Sequence, residues 1–176
     1  MTIEVRDYDP GWPAQADAAV RELRAALPGL FDDLEHIGST SVPGLAAKPI
    51  IDLMASVSSL DAVTAREDAL VALGYRRLDT GMRGRLFYPR DGDSGRRTHH
   101  LHVVTADTWE TRNERLLRDH LREHAEAAAR YGALKRGLAA RTEDSDEYTR
   151  AKTDLVQELV DAARAGRGLP SVTVWE

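Results

Sequence analysis

The stretch HIGSTSVPGLAAKPIIDL, residues 36–53, decides the fold. It opens at the end of a short strand, Leu34 to Ile37, and crosses a loop of small and hydroxylated residues. It then enters Ile50 to Val57, a strongly apolar run predicted to be a buried strand. A strand ending in Gly38-Ser39-Thr40-Ser41 gathers backbone N–H groups and hydroxyls at a turn or helix start, which cradles a phosphate without a formal positive charge. The alternative is that Gly38 and Gly44 make tight turns and the hydroxyls cap backbone. Lys48, just before Pro49, stands where a fixed backbone aims its ammonium at such a phosphate. Period two along the next strand sets Asp52, Met54 and Ser56 on one face and Ile51, Leu53, Ala55 and Val57 on the other. The apolar set covers a core, so Asp52 faces something else. An unpaired buried carboxylate is costly, and the partners expected for it are a metal, a basic side chain or hydrogen-bond donors.

Working outward, the second dense signal is His99-His100-Leu101-His102-Val103-Val104. On a strand, His100 and His102 share one face, and an H-x-H pair can grip one metal ion or one phosphate. With Asp52 it forms a two-histidine, one-carboxylate set suited to Fe, Mn, Zn or Ni more than to Mg. The alternative is that the histidines bond within the sheet or stack on neighbours. Around these two signals the chain predicts an edge strand through Ile3, Val5 and Tyr8, and an amphipathic helix from Trp12 to Leu27. A helix over Ser59–Leu73 follows, then strands at Tyr75–Leu78 and Arg85–Tyr88, and a polar hairpin loop over residues 90–97. Beyond Asp107 the pattern turns helical. One stripe runs from Thr108 to Ala140 with a break near Glu123 and His124, and a second helix carries Tyr148, Leu155, Leu159 and Ala162. The tail SVTVWE, residues 171–176, reads as a short strand or as disordered. Tyr131 with Lys135, and Tyr148 with Lys152, are i,i+4 pairs that ordinarily decorate a helix surface. The expected architecture is one α+β domain over residues 1–176: a mixed sheet core to about residue 106, a C-terminal helical pair over about 107–165, and a tail.

The chain of 176 residues has 24 Lys and Arg against 29 Asp and Glu, a formal charge of −5, so its overall field repels a nucleic-acid backbone or an anionic membrane. A small anion in a local pocket remains compatible with that charge. No apolar run approaches a bilayer span, and MTIEVRDYDP has neither a basic nor an apolar leader region, so a cytoplasmic protein is expected. The absence of cysteine removes disulfides, thiolate nucleophiles and iron–sulfur clusters, leaving His, Asp and Glu for any metal chemistry.

Residues 36–53, together with HHLHVV at 99–104, LLRDHLREHAEAAARYGALK at 116–135 and Tyr148-x-x-x-Lys152, resemble the signature of the GrpB family. That family has a nucleotidyltransferase-like fold and also occurs fused to some dephospho-CoA kinases. Its pattern usually has an aromatic, a Tyr and a Pro where this chain has Leu117, His120 and Ala125. In the wider superfamily a Gly-Ser turn holds a triphosphate, and an Asp-x-Asp or Asp-x-Glu on the next strand holds Mg²⁺. The resemblance therefore implies a pocket bounded by Gly38, Ser39, Thr40, Ser41 and Lys48 for phosphate, with Asp52, His100 and His102 as catalytic or metal-holding residues. Met54 stands in place of the second carboxylate. The implied cofactor is a divalent metal, Mg or Mn, with Zn or Fe as alternatives, and the implied partner is a nucleotide or other small phosphorylated ligand. Nucleotidyl transfer is one expected activity. The alternatives are a non-catalytic module for a nucleotide or coenzyme A precursor, and a hydrolase using a metal on Asp52, His100 and His102.

Overall fold

The computed structural model describes residues 2–174. Helix α1 (Trp12–Ala26) leads into strand β1 (Asp33–Ile37), a single 3₁₀ turn (Ser39–Ser41) and strand β2 (Ile51–Val57). Short helices α2 (Leu60–Thr64) and α3 (Glu67–Ala72) precede the hairpin of β3 (Arg85–Asp91) and β4 (Arg97–Thr105). A 3₁₀ segment (Ala106–Thr111) then enters α4 (Asn113–Glu123), α5 (Ala125–Ala139) and α6 (Ser145–Ala165). The four strands form one mixed sheet in the order β1-β2-β4-β3, with β2 and β4 parallel and both outer pairs antiparallel. This is the expected α+β class.

Strand periodicity divides the sheet into two faces. Leu34, Leu53, Ala55, Val57, Tyr88, Leu101 and Val103 bury one face against Trp12, Ala16, Ala19 and Leu23 of α1 and against Val63 and Leu70. Each fully buried aliphatic side chain in this layer contributes roughly 1.5–3 kcal/mol of burial free energy. The opposite face carries Asp52, His100 and His102 and is covered only in part, by the C-terminal helices.

Those helices are anchored by arginines. Arg118 of α4 donates to Glu35 Oε2 at 2.6 Å and to the His36 carbonyl at 3.1 Å, and Arg115 donates to the same carboxylate at 3.1 Å. One turn on, Arg122 donates to the Ser41 carbonyl at 2.9 Å.

Several expectations change. The break expected near Glu123 and His124 falls at His124, which leaves helical dihedrals (φ −126°, ψ 87°) between α4 and α5, so the C-terminal pair is three helices. No proline marks this break, and its reason is tertiary. Arg122 touches Ser41 and Lys135 touches Ser39, yet along a straight helix these side chains would stand about 20 Å apart. The helix over residues 59–73 is likewise interrupted, between Thr64 and Glu67. The strands expected near Val5 and over 75–78 reduce to single bridges, Arg6 with Ala47 and Tyr75 with Arg90. Residues 171–174 form no strand. They are pinned by Gln157, whose amide donates to the Val172 carbonyl at 2.9 Å and accepts from the Val174 N–H at 3.1 Å. The last two residues of that expected segment lie outside the described residues.

Gly38 joins β1 to the 3₁₀ turn at φ 74°, ψ −176°, a conformation open essentially to glycine alone. A Cβ there would lie 2.6 Å from Asp52 Oδ2. Gly38→Ala is therefore expected to lower unfolding free energy by about 1–3 kcal/mol, read from the urea midpoint at unchanged slope. An unchanged midpoint would show that the turn tolerates a side chain.

Candidate functional site

The partly covered face of the sheet and helices α4, α5 and α6 enclose a cleft of about 460 Å³. Asp52 lies at its base. The parallel register of β2 and β4 pairs Asp52 with His100 and Met54 with His102, so the three polar side chains emerge on one face within two residues of each other. His100 Nδ1 is 2.9 Å from Asp52 Oδ1, and His102 Nε2 is 3.9 Å from the same oxygen. One ligand atom from each residue lies within 4.8 Å of the others, a group able to hold a metal ion.

Both imidazoles are backed by guanidinium groups. Arg97 Nη1 lies 3.4 Å from His100 Nε2, and Arg85 Nη1 lies 3.4 Å from His102 Nδ1. With donors behind them, the ring nitrogens that face Asp52 are the ones placed to carry N–H toward it. Burial by itself raises the Asp52 pKa, but the hydrogen bonds and charges of His100 and His102 outweigh it and hold the carboxyl well below the usual range. Phe87 on β3 packs its ring against both histidines, with centroids 5.1 and 4.9 Å away.

The position of a second carboxylate is closed. Met54 is fully buried with Ile37, Val104 and Trp109, and Glu35, the nearest acid on β1, is held by Arg115 and Arg118. Glu114, which also lines the cleft, is held by Arg85, so among the described residues Asp52 is the one carboxylate left beside the two histidines, and they do not offer the hard-oxygen donor set that a pair of Mg²⁺ ions needs. The residues present do not fit that pair.

The loop at the cleft mouth divides its hydroxyls. Thr40 Oγ1 bonds His36 Nε2 at 2.8 Å and the Ile50 carbonyl at 3.3 Å, and Ser41 Oγ donates to the Gly38 carbonyl at 2.5 Å. These two hydroxyls are used inside the loop. Ser39 Oγ instead meets Lys135 Nζ at 2.8 Å. Gly132, one turn earlier on α5, makes this reach possible, since a Cβ there would come within 3.3 Å of Leu45.

Lys135 belongs to a cluster that i,i+4 spacing alone predicts on a helix surface. Its ammonium lies 4.5 Å from the Tyr131 ring centre, and Lys48 and Lys152 lie 4.4 and 5.2 Å from that of Tyr148. Lys135 is only 3% exposed. Burial, reinforced by Lys152 and Lys48 against the pull of Asp52, lowers its pKa to about 7. Lys48 and Lys152 are lowered too, mainly by burial. Burial pushes the Tyr131 phenol up to about 12, keeping it a neutral wall. The available signal was the repeated Tyr-x-x-x-Lys on two helices, which becomes a site only when both helices turn the same stripe toward Ser39. Of the family departures, Leu117 lines the cleft and His120 stacks on His124 with ring centres 4.1 Å apart.

A family model described as GrpB protein matches residues 2–162. The UPF0157 protein YqkA of Bacillus subtilis is 32% identical over 164 residues, 92% of this chain but 47% of that protein, so this chain spans about half its length. UPF0157 protein SCO7215 of Streptomyces coelicolor is 36% identical over 95% of this chain and 87% of its own length. A 74-residue segment, 40% of this chain, is 42% identical to 18% of a dephospho-CoA kinase from Mycolicibacterium paratuberculosis. Among solved structures, conserved protein GrpB from Enterococcus faecalis superposes with a TM-score of 0.86 at 33% identity, covering 94% of this chain and 99% of that one. The Cid1 poly(U) polymerase with Mg 3′-dATP bound superposes at a TM-score of 0.54 and 17% identity over 78% of this chain and 44% of its own, a likeness of fold alone. The fold is thus nucleotidyltransferase-like, and the chain belongs to the GrpB family.

Proposed function

We propose that the cleft binds the phosphate chain of a nucleotide or a related small phosphoester. The observation that carries this reading is the convergence of Lys48, Lys135 and Lys152 on the cleft that contains Ser39 and Asp52, in a chain whose net charge is −5. Three partly buried ammonium groups destabilise one another, and a polyanion relieves that cost. Ser39 and the lysines then supply hydrogen bonds to the phosphate oxygens, and the tyrosine rings shape the walls. A coenzyme A precursor remains within this class, supported by the segment shared with a dephospho-CoA kinase.

Nucleotidyl transfer is a second reading, favoured by the cluster of Asp52, His100 and His102 beside the phosphate-binding end. In it, Asp52 stays ionised and is presented to the cleft. A histidine would serve as general base in the tautomer opposite to the one Arg85 and Arg97 favour. The donor set suits one ion of the Mn, Zn or Fe class, which when bound supplies Lewis acidity toward a phosphoryl oxygen. Metal-bound histidines usually donate their distal N–H to an acceptor, whereas here guanidinium groups stand in that place.

Tripolyphosphate and ATP are expected to raise the melting midpoint, and Lys152→Met to weaken both at least tenfold. No midpoint shift with tripolyphosphate, ATP, UTP or dephospho-CoA would overturn the reading.

The affinity should depend on pH in one direction. Lys135 is cationic below about pH 7 and loses its proton above it. Tripolyphosphate affinity should therefore fall as pH rises from 6.5 to 8.5, with proton uptake visible in calorimetry in buffers of different ionisation enthalpy. Lys135→Arg removes the titrating group while leaving the ligand's own titration, so it should flatten the profile. An identical profile in the variant would remove Lys135 from the site.

Two imidazoles and one carboxylate suit a softer ion than Mg²⁺, so Zn²⁺ should be retained on dialysis better than Mg²⁺. Mg²⁺ held as tightly as Zn²⁺, or retention unaltered in His102→Ala, would count against an ion at this cluster.

A further inference from the structure

We propose that a second crevice, on the far side of Arg85, is an anion subsite that holds the phosphate group of a small acceptor molecule. The inference rests on the reading of the main cleft as a phosphate site, and it extends that reading to a second ligand.

The crevice measures about 270 Å³. Arg85 lines both cavities: its Nη1 faces His102 in the main cleft, and its Nη2 bonds Glu114 Oε1 at 2.6 Å. Beyond that pair lie Arg112, Arg164, Thr108 and Thr111. Among the described residues the lining therefore holds three guanidinium groups against one carboxylate, Glu114, which Arg85 already occupies.

Among the described residues the other two arginines form no ion pair. Arg112 is fixed by Thr108 Oγ1, which accepts from its Nε at 3.0 Å and its Nη2 at 2.8 Å, and among the described residues it forms no ion pair. Burial and the neighbouring Arg85 charge lower its pKa, opposed by Glu114 and Asp107. Arg164 is 6% exposed, and its acceptors among the described residues are neutral: the Pro170 carbonyl at 2.5 Å, the Thr111 carbonyl at 3.1 Å and Asn113 Oδ1 at 2.9 Å. Burying guanidinium groups without a carboxylate is unfavourable unless an anion completes the set. Their planar forks match phosphate oxygens better than an ammonium does.

The position explains why the anion belongs to an acceptor. Lysines gather at the Ser39 end of the main cleft, Asp52 and the histidines lie between, and the guanidinium groups lie past His102. A phosphate held at the arginine end would anchor a second molecule whose hydroxyl points back toward Asp52. The chain's net charge of −5 favours a small phosphate monoester over a long polyanion.

The test uses the full chain labelled with ¹⁵N-arginine. Inorganic phosphate, glycerol 3-phosphate and glycerol are titrated with and without saturating pyrophosphate in the main cleft, and the Arg112 Nε–Hε resonance is followed, assigned by its loss in Arg112→Gln. The subsite predicts a saturable shift with phosphate and glycerol 3-phosphate, none with glycerol, and persistence of that shift in Lys152→Met. Arg112→Lys keeps the charge but loses the fork, and phosphate-induced stabilisation should weaken about tenfold in it.

No saturable shift up to tens of millimolar phosphate overturns the proposal, as does a shift that vanishes in Lys152→Met, since the anion would then be acting from the main cleft. A short oligoribonucleotide binding more than tenfold tighter than glycerol 3-phosphate overturns the assignment to a small acceptor. Failure of pyrophosphate to bind, with the Arg112 shift intact, would instead count against the main-cleft reading alone.

Discussion

The contact between Glu35 and the arginines of α4 governs the rest of the site. Arg118 is nearly buried and spans a strand carboxylate and a strand carbonyl, so it fixes both the position and the rotation of α4 on the sheet. Arg122 then ties the same helix to the carbonyl of Ser41. Once α4 is set, the turn at His124 directs α5 back over the loop, and Lys135 reaches Ser39. The cleft is the space left between a sheet that presents polar groups and helices held off it by guanidinium groups.

That construction concentrates charge against the sign of the whole molecule. A chain with an excess of acids places ammonium groups at one end of its cleft and guanidinium groups beyond the other, with an ionised carboxylate between them. Burial depresses the lysines, yet Asp52 is held ionised by its hydrogen bonds and the neighbouring histidines, so desolvation neutralises one kind of group and not the other. Met54, packed against Trp109, keeps the strand position two residues past Asp52 apolar. Imidazoles occupy the neighbouring strand instead, each with an arginine behind it.

Much of this was legible in the sequence. Period two along residues 51–57 and 99–105 sorts core from site, and the structure places Asp52, His100 and His102 on one face as that period requires. Glycine at position 38 announced a turn, and Asp52 supplies the reason, since its carboxylate fills the space a side chain would need. Less visible were the uses of the hydroxyls. Ser39, Thr40 and Ser41 look equivalent in a row, but a 3₁₀ turn points successive side chains in different directions, and only Ser39 is paired across the cleft with a lysine.

Local patterning determined the elements that depend on neighbours in the chain: the α+β class, the apolar faces, the shared strand face of His100 and His102, and the loop between β1 and β2. Tertiary structure alone decided which strands adjoin. It also decided that Tyr131-Lys135 and Tyr148-Lys152 face one cavity, and that Arg85, Arg112 and Arg164 share another. The physical reason is distance along the chain. Alternation and helical spacing are set by dihedrals within a few residues, whereas Lys135 meets Ser39, and Arg164 meets Asn113, only after the sheet has buried its apolar face and left the helices one way to close over the other.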